Sequence, residues 1–347
     1  MCAIGFGLDA MTDPPGEFIG LKPEDIKPAR VFGDEEPVVG TFFFYWYDYP
    51  SKAHFVNPDG SDALVDHPVH PERVSYRSVD WWRKELLDVM EAGIDFIAPV
   101  FWGVPGHPES WSFEGLRYLV RAWESIRAEG GQPPQIALFY DTSTLRHNPD
   151  RVHVDLTTEE GKRWFYATVR DFFSMIPPKC WMIRGGGPIV FLYSAAFAAR
   201  QDPEAIPYLK RRFREDFACE PFVIKEASWE GEADAVYAWG GALKPRIYSS
   251  VASIGPGYDH HAVPGRKPLV VDREGGDFYR RAWELILSMD PEKRPRIVMI
   301  ETWNELHEGT DICETVEYGR QYIELTRHYV DLFKRSFRSP QGIRQLR

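Results

Sequence analysis

The stretch that decides the architecture is "PVVGTFFFYWYDYPSKAHF", residues 37–55. Its first half is apolar, β-branched and aromatic, as a buried strand requires. A dinucleotide-binding open sheet would follow that strand with a glycine-rich phosphate loop. Here "YWYDYPSKAHF" (45–55) stands in its place, long, aromatic and polar. That favours a closed barrel over an open, doubly wound sheet.

The same alternation continues outward. "SVDWWRKELLDVMEAG" (78–93) has helical periodicity, with Ser78 placed to cap it and Gly93 to end it. Strands are expected at 94–103, 135–143, 188–195, 221–229, 234–242, 246–253 and 296–303, with helices at 114–131, 158–176, 203–217, 277–289 and 315–337. Little room is left for helices between 221 and 253, and 254–276 reads as a polar loop. Eight strands with mostly intervening helices predict a single (β/α)8 TIM barrel, with some reduced outer helices and long βα loops. No repeat or linker interrupts it. Residues 1–347 are expected to form one domain, with 1–36 an N-terminal extension packed on the barrel.

Bulk properties narrow the function. A chain of 347 residues buries a sizeable core. A net charge of −11 without any Lys/Arg cluster excludes a polyanionic partner such as nucleic acid. No run approaches the ~18 apolar residues of a membrane span. Cys2, Cys180, Cys219 and Cys313 lie far apart, so neither a zinc knuckle nor a disulfide framework is expected. The opening "MCAIGFGLDAMTDPPGEF" shows no signal peptide, which implies a cytoplasmic protein or one whose signal has been removed. The 12 Trp, 16 Tyr and 22 Phe are unusual because many stand beside polar residues. Flat apolar rings flanked by hydrogen-bonding groups suit sugars, although a large core also uses aromatics.

In a barrel the βα loops meet at the C-terminal ends of the strands. Those ends carry Tyr45, Tyr47 and Asp48; Trp102; Tyr140 and Asp141; Tyr193; Glu226; Trp239; and Tyr258 in the seventh loop. The last strand breaks into "IVMIETWNELHEGTDI" (297–312), with Trp303, Asn304, Glu305, His307 and Glu308. All are candidate substrate-binding or catalytic groups. Trp102, Trp239, Trp303 and Tyr45 are the candidate stacking platforms, with core packing as the alternative for each.

Glu305 and Glu308 are the candidate catalytic pair. Glycoside hydrolysis needs one carboxylic acid for the leaving oxygen and a second group as base or nucleophile. At i and i+3 in a turn, their β-carbons lie ~5–6 Å apart. That proximity lets one raise the other's pKa, so one stays protonated near neutrality. His307 and Asn304 would orient them or contact hydroxyls. The competing reading has these glutamates capping the last helix or pairing with arginines. Glu301, on the same side as Glu305 by strand alternation, is either a third interior carboxylate or a partner for an arginine such as Arg246. "NELHEG" lacks the second histidine of a zinc motif, and the adjacent His260 and His261 point apart, so no metal or cofactor is expected. No GxSxG elbow supports a serine nucleophile.

"TWNELHEGTDI" resembles the "NEWHEGT" signature of glycoside hydrolase family 99, the endo-α-mannosidases and endo-α-mannanases. "VVGTFFFYWYDY", "GIDFIAPVFWG", and "GPGYD" with "REGGDFYRRAWELIL" are similar to further parts of that family, from about residue 37 to about 335. The resemblance implies a (β/α)8 barrel and retaining cleavage of α-mannosides without metal, by way of a 1,2-anhydro sugar. Glu305 would match the base acting on the sugar 2-hydroxyl, Glu308 the acid/base, and Tyr258 a group reaching the reacting sugar. Leu306 stands where the family usually has Trp, "DICET" carries an extra position, and the loop 48–77 is idiosyncratic. The expected partner is an oligosaccharide or glycan, and the expected state a monomer. A retaining β-glycosidase ranks lower, because there the Asn-Glu pair ends the fourth strand. A catalytically silent carbohydrate-binding barrel and a protein-interaction module with an exposed apolar patch are the readings from other classes.

Overall fold

The first strand forms where its sequence places it. In the computed structural model, which describes residues 13–338, it is one of eight parallel strands. These are β1 (Val38–Phe43), β2 (Phe96–Phe101), β3 (Leu138–Tyr140), β4 (Gly187–Leu192), β5 (Phe222–Glu226), β6 (Ala235–Tyr237), β7 (Val251–Ile254) and β8 (Ile297–Ile300). They pair in the order β6-β5-β4-β3-β2-β1-β8-β7. β1 lies between β8 and β2, with Thr41 opposite both Ile300 and Ile97. Every residue of β1, β2 and β4 is buried, as strands covered on both faces must be. This is the expected barrel.

Among the described residues six α-helices cover it: α1 (Val79–Glu91), α2 (Trp111–Ala128), α3 (Glu159–Met175), α4 (Ala205–Phe217), α5 (Asp277–Ser288) and α6 (Gln321–Arg338). The Ser78 hydroxyl accepts from the Trp81 amide and starts α1. Gly93, at φ 77°, ends it in a conformation other residues adopt at a cost. No helix follows β5 or β6. Residues 227–234 are too few for a helical crossover, which takes about a dozen or more.

After β6 the chain does something the hydrophobic pattern concealed. The expected strand 246–253 is a hairpin: Arg246–Ile247 runs antiparallel to β7, pairing Ile247 with Ala252 and Arg246 with Ser253. The polar turn through Ser249 and Ser250 reverses the chain. Among the described residues, no ladder joins β6 to β7; the short antiparallel segment lies on the free edge of β7 instead. Within the expected loop 254–276, Tyr258–Asp259 pairs with Val270–Val271.

The barrel interior is aromatic. Phe42 of β1 meets Phe139 of β3 at 4.5 Å, Phe191 of β4 at 5.4 Å and Tyr237 of β6 at 6.0 Å between ring centres. Such tilted and edge-on pairs add ~0.5–1.5 kcal/mol each beyond the area they bury. In the N-terminal segment, the amides of Phe18, Leu21 and Ala29 donate to the carbonyls of Ser174, Asp216 and Lys179. The opening residues 1–12, with Cys2, lie outside the described residues; Cys180, Cys219 and Cys313 are unpaired.

Candidate active site

The site follows from the aromatic interior by simple alternation. Phe42, Phe139, Phe191 and Tyr237 point into the barrel, so the residues two further on, Phe44, Asp141, Tyr193 and Trp239, share that face just above the strand ends. All four line a cavity of about 540 Å³. Glu301, Glu305, His307 and Glu308 join it from β8, Tyr258 and Arg266 from the β7 loop, and Trp46, His54 and Trp102 from the first two loops. The cavity is therefore an aromatic cup with carboxyl groups in its wall.

Asn304 anchors the β8 segment. The Phe44 amide donates to its Oδ1 at 2.8 Å, and its Nδ2 donates to the Phe44 carbonyl at 2.7 Å. This two-point clamp fixes the turn that presents Glu305 and Glu308 to the same space. Arg273 ties three loops together behind it, donating to Asp66 Oδ2 at 2.7 Å, to Asp311 Oδ1 at 3.1 Å and to the carbonyls of Gly309 and Asp311. Gly309, at φ 53°, closes the turn.

Glu305 is buried, and its Oε2 has no hydrogen-bond partner among the described residues. Its Oε1 accepts from the His307 amide at 3.1 Å and faces His307 Nδ1 at 2.8 Å. His307 Nε2 lies 2.9 Å from the His54 carbonyl, which only accepts, so Nε2 carries a proton. One further proton then sits between Nδ1 and Glu305. Burial pushes the Glu305 carboxyl above the usual carboxylate range, and the His307 charge pulls it partly back. Burial disfavours the His307 imidazolium, yet Glu305 beside it leaves the imidazole pKa raised. The two groups form a proton-sharing pair.

Glu308 is part-exposed at the cavity and pairs with Arg266 at 2.5 Å, so the expected pairing with an arginine and the place in the cavity hold together. Tyr258 donates to His260 Nδ1 at 2.9 Å, while His260 Nε2 donates to the Lys267 carbonyl at 2.6 Å. Trp46 stacks between Trp102 (4.8 Å, 12°) and His54 (4.4 Å, 8°), a continuous wall of rings. Burial raises Asp141, whose carboxylate also accepts from the Ser143 amide at 2.9 Å.

Of the residues singled out from sequence, Trp102, Asp141, Tyr193, Trp239, Tyr258, Glu305, His307 and Glu308 line the cavity. The others do not. Tyr45 is fully buried and donates to the Ser112 carbonyl at 2.8 Å, packed on Trp82. Tyr140 is buried against Phe165. Trp303 turns away to donate to the buried Glu85 at 2.6 Å. Neither Tyr45 nor Trp303 is thus placed to stack on a ligand. Asp48 is held by Ser51, Ser75 and Arg77. Glu226 accepts from the Ser228 amide at 2.8 Å. Tyr47 stands behind the site, its hydroxyl accepting from the Leu306 amide at 3.0 Å and its ring stacked on His307. Asn304 acts as the clamp. Trp46, which also stands at the end of the first strand, and Glu301, the expected third interior carboxylate, line the cavity too; Phe44 and Arg266 are cavity groups that strand-end counting did not single out, the first marked by the parity of β1 and the second by nothing in the loop sequence.

Glu301 is interior, not paired with Arg246. Its Oε2 accepts from the amides of Gly240 (2.9 Å) and Gly241 (2.8 Å). Among the described residues, no group of three or more His, Cys, Asp and Glu is placed to hold a metal ion, and no helix is long and apolar enough to cross a membrane.

A family model described as "Domain of unknown function (DUF5010)" matches residues 34–340. No curated protein matches the chain. Among solved structures, the GH99 endo-α-mannosidase from Bacteroides thetaiotaomicron is similar with a TM-score of 0.60 at 17% identity, over 89% of this chain and 100% of that one. The same enzyme in complex with Bis-Tris propane gives 0.60 at 16% identity, with the same shares covered. A protein described as "glycoside hydrolase-like protein" gives 0.59 at 17% identity, over 89% and 99%. At such identities the likeness is one of fold, and it falls on the family that the "NELHEGT" motif resembles.

Proposed function

The chain belongs to the DUF5010 family, a domain of unknown function, and we propose that it is a glycoside hydrolase acting on α-linked mannosides or related glycans with retention of configuration. The observation that carries this reading is the convergence of Glu305 and Glu308, in different surroundings, on one aromatic-walled cavity. The fold shared with endo-α-mannosidases supports it. We read residues 1–347 as one domain and its ligand as an oligosaccharide.

In this proposal the sugar stacks against the Trp46–Trp102 wall and Trp239. Glu305, buried and so a stronger base than an exposed carboxylate, takes the proton from the sugar 2-hydroxyl. O2 then attacks C1 while Glu308 gives its proton to the departing oxygen, and the C1–O bond breaks. Water enters from the vacated side, Glu308 removes its proton, and the new C1–O bond forms as the C1–O2 bond opens. O2 recovers its proton from Glu305. Two inversions at C1 leave net retention. His307, pinned by the His54 carbonyl, holds the Glu305 carboxyl in place, and Arg266 positions Glu308.

The test is a screen of wild type and Glu308→Gln against oligomeric and aryl α-mannosides, α-glucosides and α-galactosides, with the first anomer released read by NMR. Turnover with the α-anomer formed first is expected. Glu308→Gln should lose about 10²–10⁴-fold on poor leaving groups and far less on a dinitrophenyl leaving group. Saturable glycan binding without turnover by wild type would replace the enzyme with a binding barrel, and equal activity of both proteins would remove Glu308 from its role.

A further inference from the structure

Glu301, like Asp141, is a cavity carboxyl that the Glu305–Glu308 chemistry leaves without a task. Alternation along β8 aims it inward, two residues after Met299, which pairs with Gly40 of β1. Its Oε2 is held by two backbone amides, those of Gly240 and Gly241. These amides are available because the chain beyond β6 makes no ladder with β7. The approach is very close: a β-carbon on Gly241 would lie 2.5 Å from the Ser253 carbonyl carbon, and Gly240 sits at φ 98°. Glycine at 241 lets this backbone pass directly against β7 while its amide reaches the carboxyl. Meanwhile Oε1 is buried and has no hydrogen-bond partner among the described residues, while the side chain lines the cavity.

A buried polar atom without a partner costs ~1–3 kcal/mol, which a bound ligand group recovers. The bonding pattern accommodates a neutral acid. One oxygen accepts two N–H bonds, as the carbonyl oxygen of a carboxylic acid does, and the other is free to carry the hydrogen. Burial, opposed by those amides, pushes the Glu301 pKa up to about 8, so the neutral acid prevails at pH 7.

Building on the glycoside reading above, we propose that Glu301 is a neutral acid that donates a hydrogen bond from Oε1 to one hydroxyl of the bound sugar. It thereby selects substrates that carry a hydroxyl at that ring position. A site built to bond a hydroxyl rejects an analogue lacking it far more strongly than an apolar pocket rejects a missing methylene. The inner end of the cavity, where Glu301 meets Tyr193 and Trp239, is in this view the specificity end, and Glu305 and Glu308 are the reactive end. The Arg246 guanidinium of the antiparallel segment bears on Glu301, and Glu301 in turn bears on Tyr193, just after β4, and on Tyr237 of β6. Asp141, Glu305, His307, Glu308, Tyr258 and Arg266 share its cavity.

The experiment pairs residue with hydroxyl. Methyl α-mannoside, α-glucoside and α-galactoside, and the monodeoxy forms of whichever binds, are titrated calorimetrically into Glu308→Gln protein carrying Glu301, Glu301→Ala or Glu301→Gln. One deoxygenation is expected to weaken binding about 10-fold or more with Glu301 present, to cost nothing further in Glu301→Ala, and to cost again in Glu301→Gln, whose amide also donates. Parent affinity should fall above pH about 8 with Glu301 and stay level with Gln, a difference that a merely structural clamp would not produce. Deoxygenation penalties identical in the Glu301 and Glu301→Ala proteins would overturn the assignment while leaving the glycosidase reading standing. Failure of every pyranoside to bind would overturn that reading, and this one with it.

Discussion

Replacing Glu301 with glutamine removes a titration that the folded chain suppresses, and the stability consequence is calculable. The folded carboxyl titrates at about 8, against an ordinary 4.5 when exposed in the unfolded chain. Below pH 4.5 both states hold the proton and folding is indifferent to it. Between 4.5 and about 8 only the unfolded state releases it, so stability falls by about 1.4 kcal/mol per pH unit, and above 8 the loss levels off. Across the whole window this comes to about 5 kcal/mol, an upper figure because water entering the cavity relaxes the charged form. Glutamine keeps the two contacts to Gly240 and Gly241 and does not titrate. Thermal unfolding of both proteins from pH 4.5 to 8.5 should therefore show the variant gaining on wild type as pH rises. At roughly 2 °C per kcal/mol for a chain of this size, the gain is on the order of 5 to 10 °C. A difference in Tm that stays constant with pH would refute the argument, because a neutral buried acid must generate this slope.

Two further outcomes follow from the same site. Because burial raises Glu305 and it must be ionised to act as a base, the acidic limb of kcat/KM should lie above the usual carboxylate range; Glu305→Gln should abolish turnover and with it that limb, and an unchanged profile would exclude Glu305 as the base. Arg273→Met should cost about 3–5 kcal/mol in urea unfolding, since it strands Asp66 and Asp311 as buried acids without their cation, and a loss below about 1 kcal/mol would show that the clasp does not stabilise the loops.

The barrel was legible because its strands are buried on both faces and its helices are amphipathic, so both periodicities stand out. Glu305, Glu308 and His307 were legible from one short segment. What failed was the rule for choosing among neighbours. Tyr45, Tyr47 and Tyr140 end strands, but they fall on the outward side of their strands' alternation; Tyr45 and Tyr140 pack toward the helices and Tyr47 behind His307. The reliable marker is parity: Phe42 points inward, hence Phe44 and Trp46 do too. Trp303 follows the parity of Glu301, yet the chain turns before it, and its indole goes to Glu85. Arg266 was illegible in principle, since its position depends on how a long polar loop folds back over Glu308. The hairpin at 246–253 hid inside one apolar run because only two polar residues, Ser249 and Ser250, mark its reversal.

The gap between β6 and β7 has a cost elsewhere in the life of the chain. A fully laddered barrel offers no strand edge to other molecules, whereas here β7 lacks β6 as its partner on one side. During folding, that edge is a template for pairing with a second chain. Arg246–Ile247 occupies part of it from within the same polypeptide, as a two-residue antiparallel segment. Exposed Lys244 and Arg246 put charge where an incoming strand would dock. The stretch that follows the two amides held by Glu301 therefore covers part of the β7 edge with chain that is charged on its exposed side.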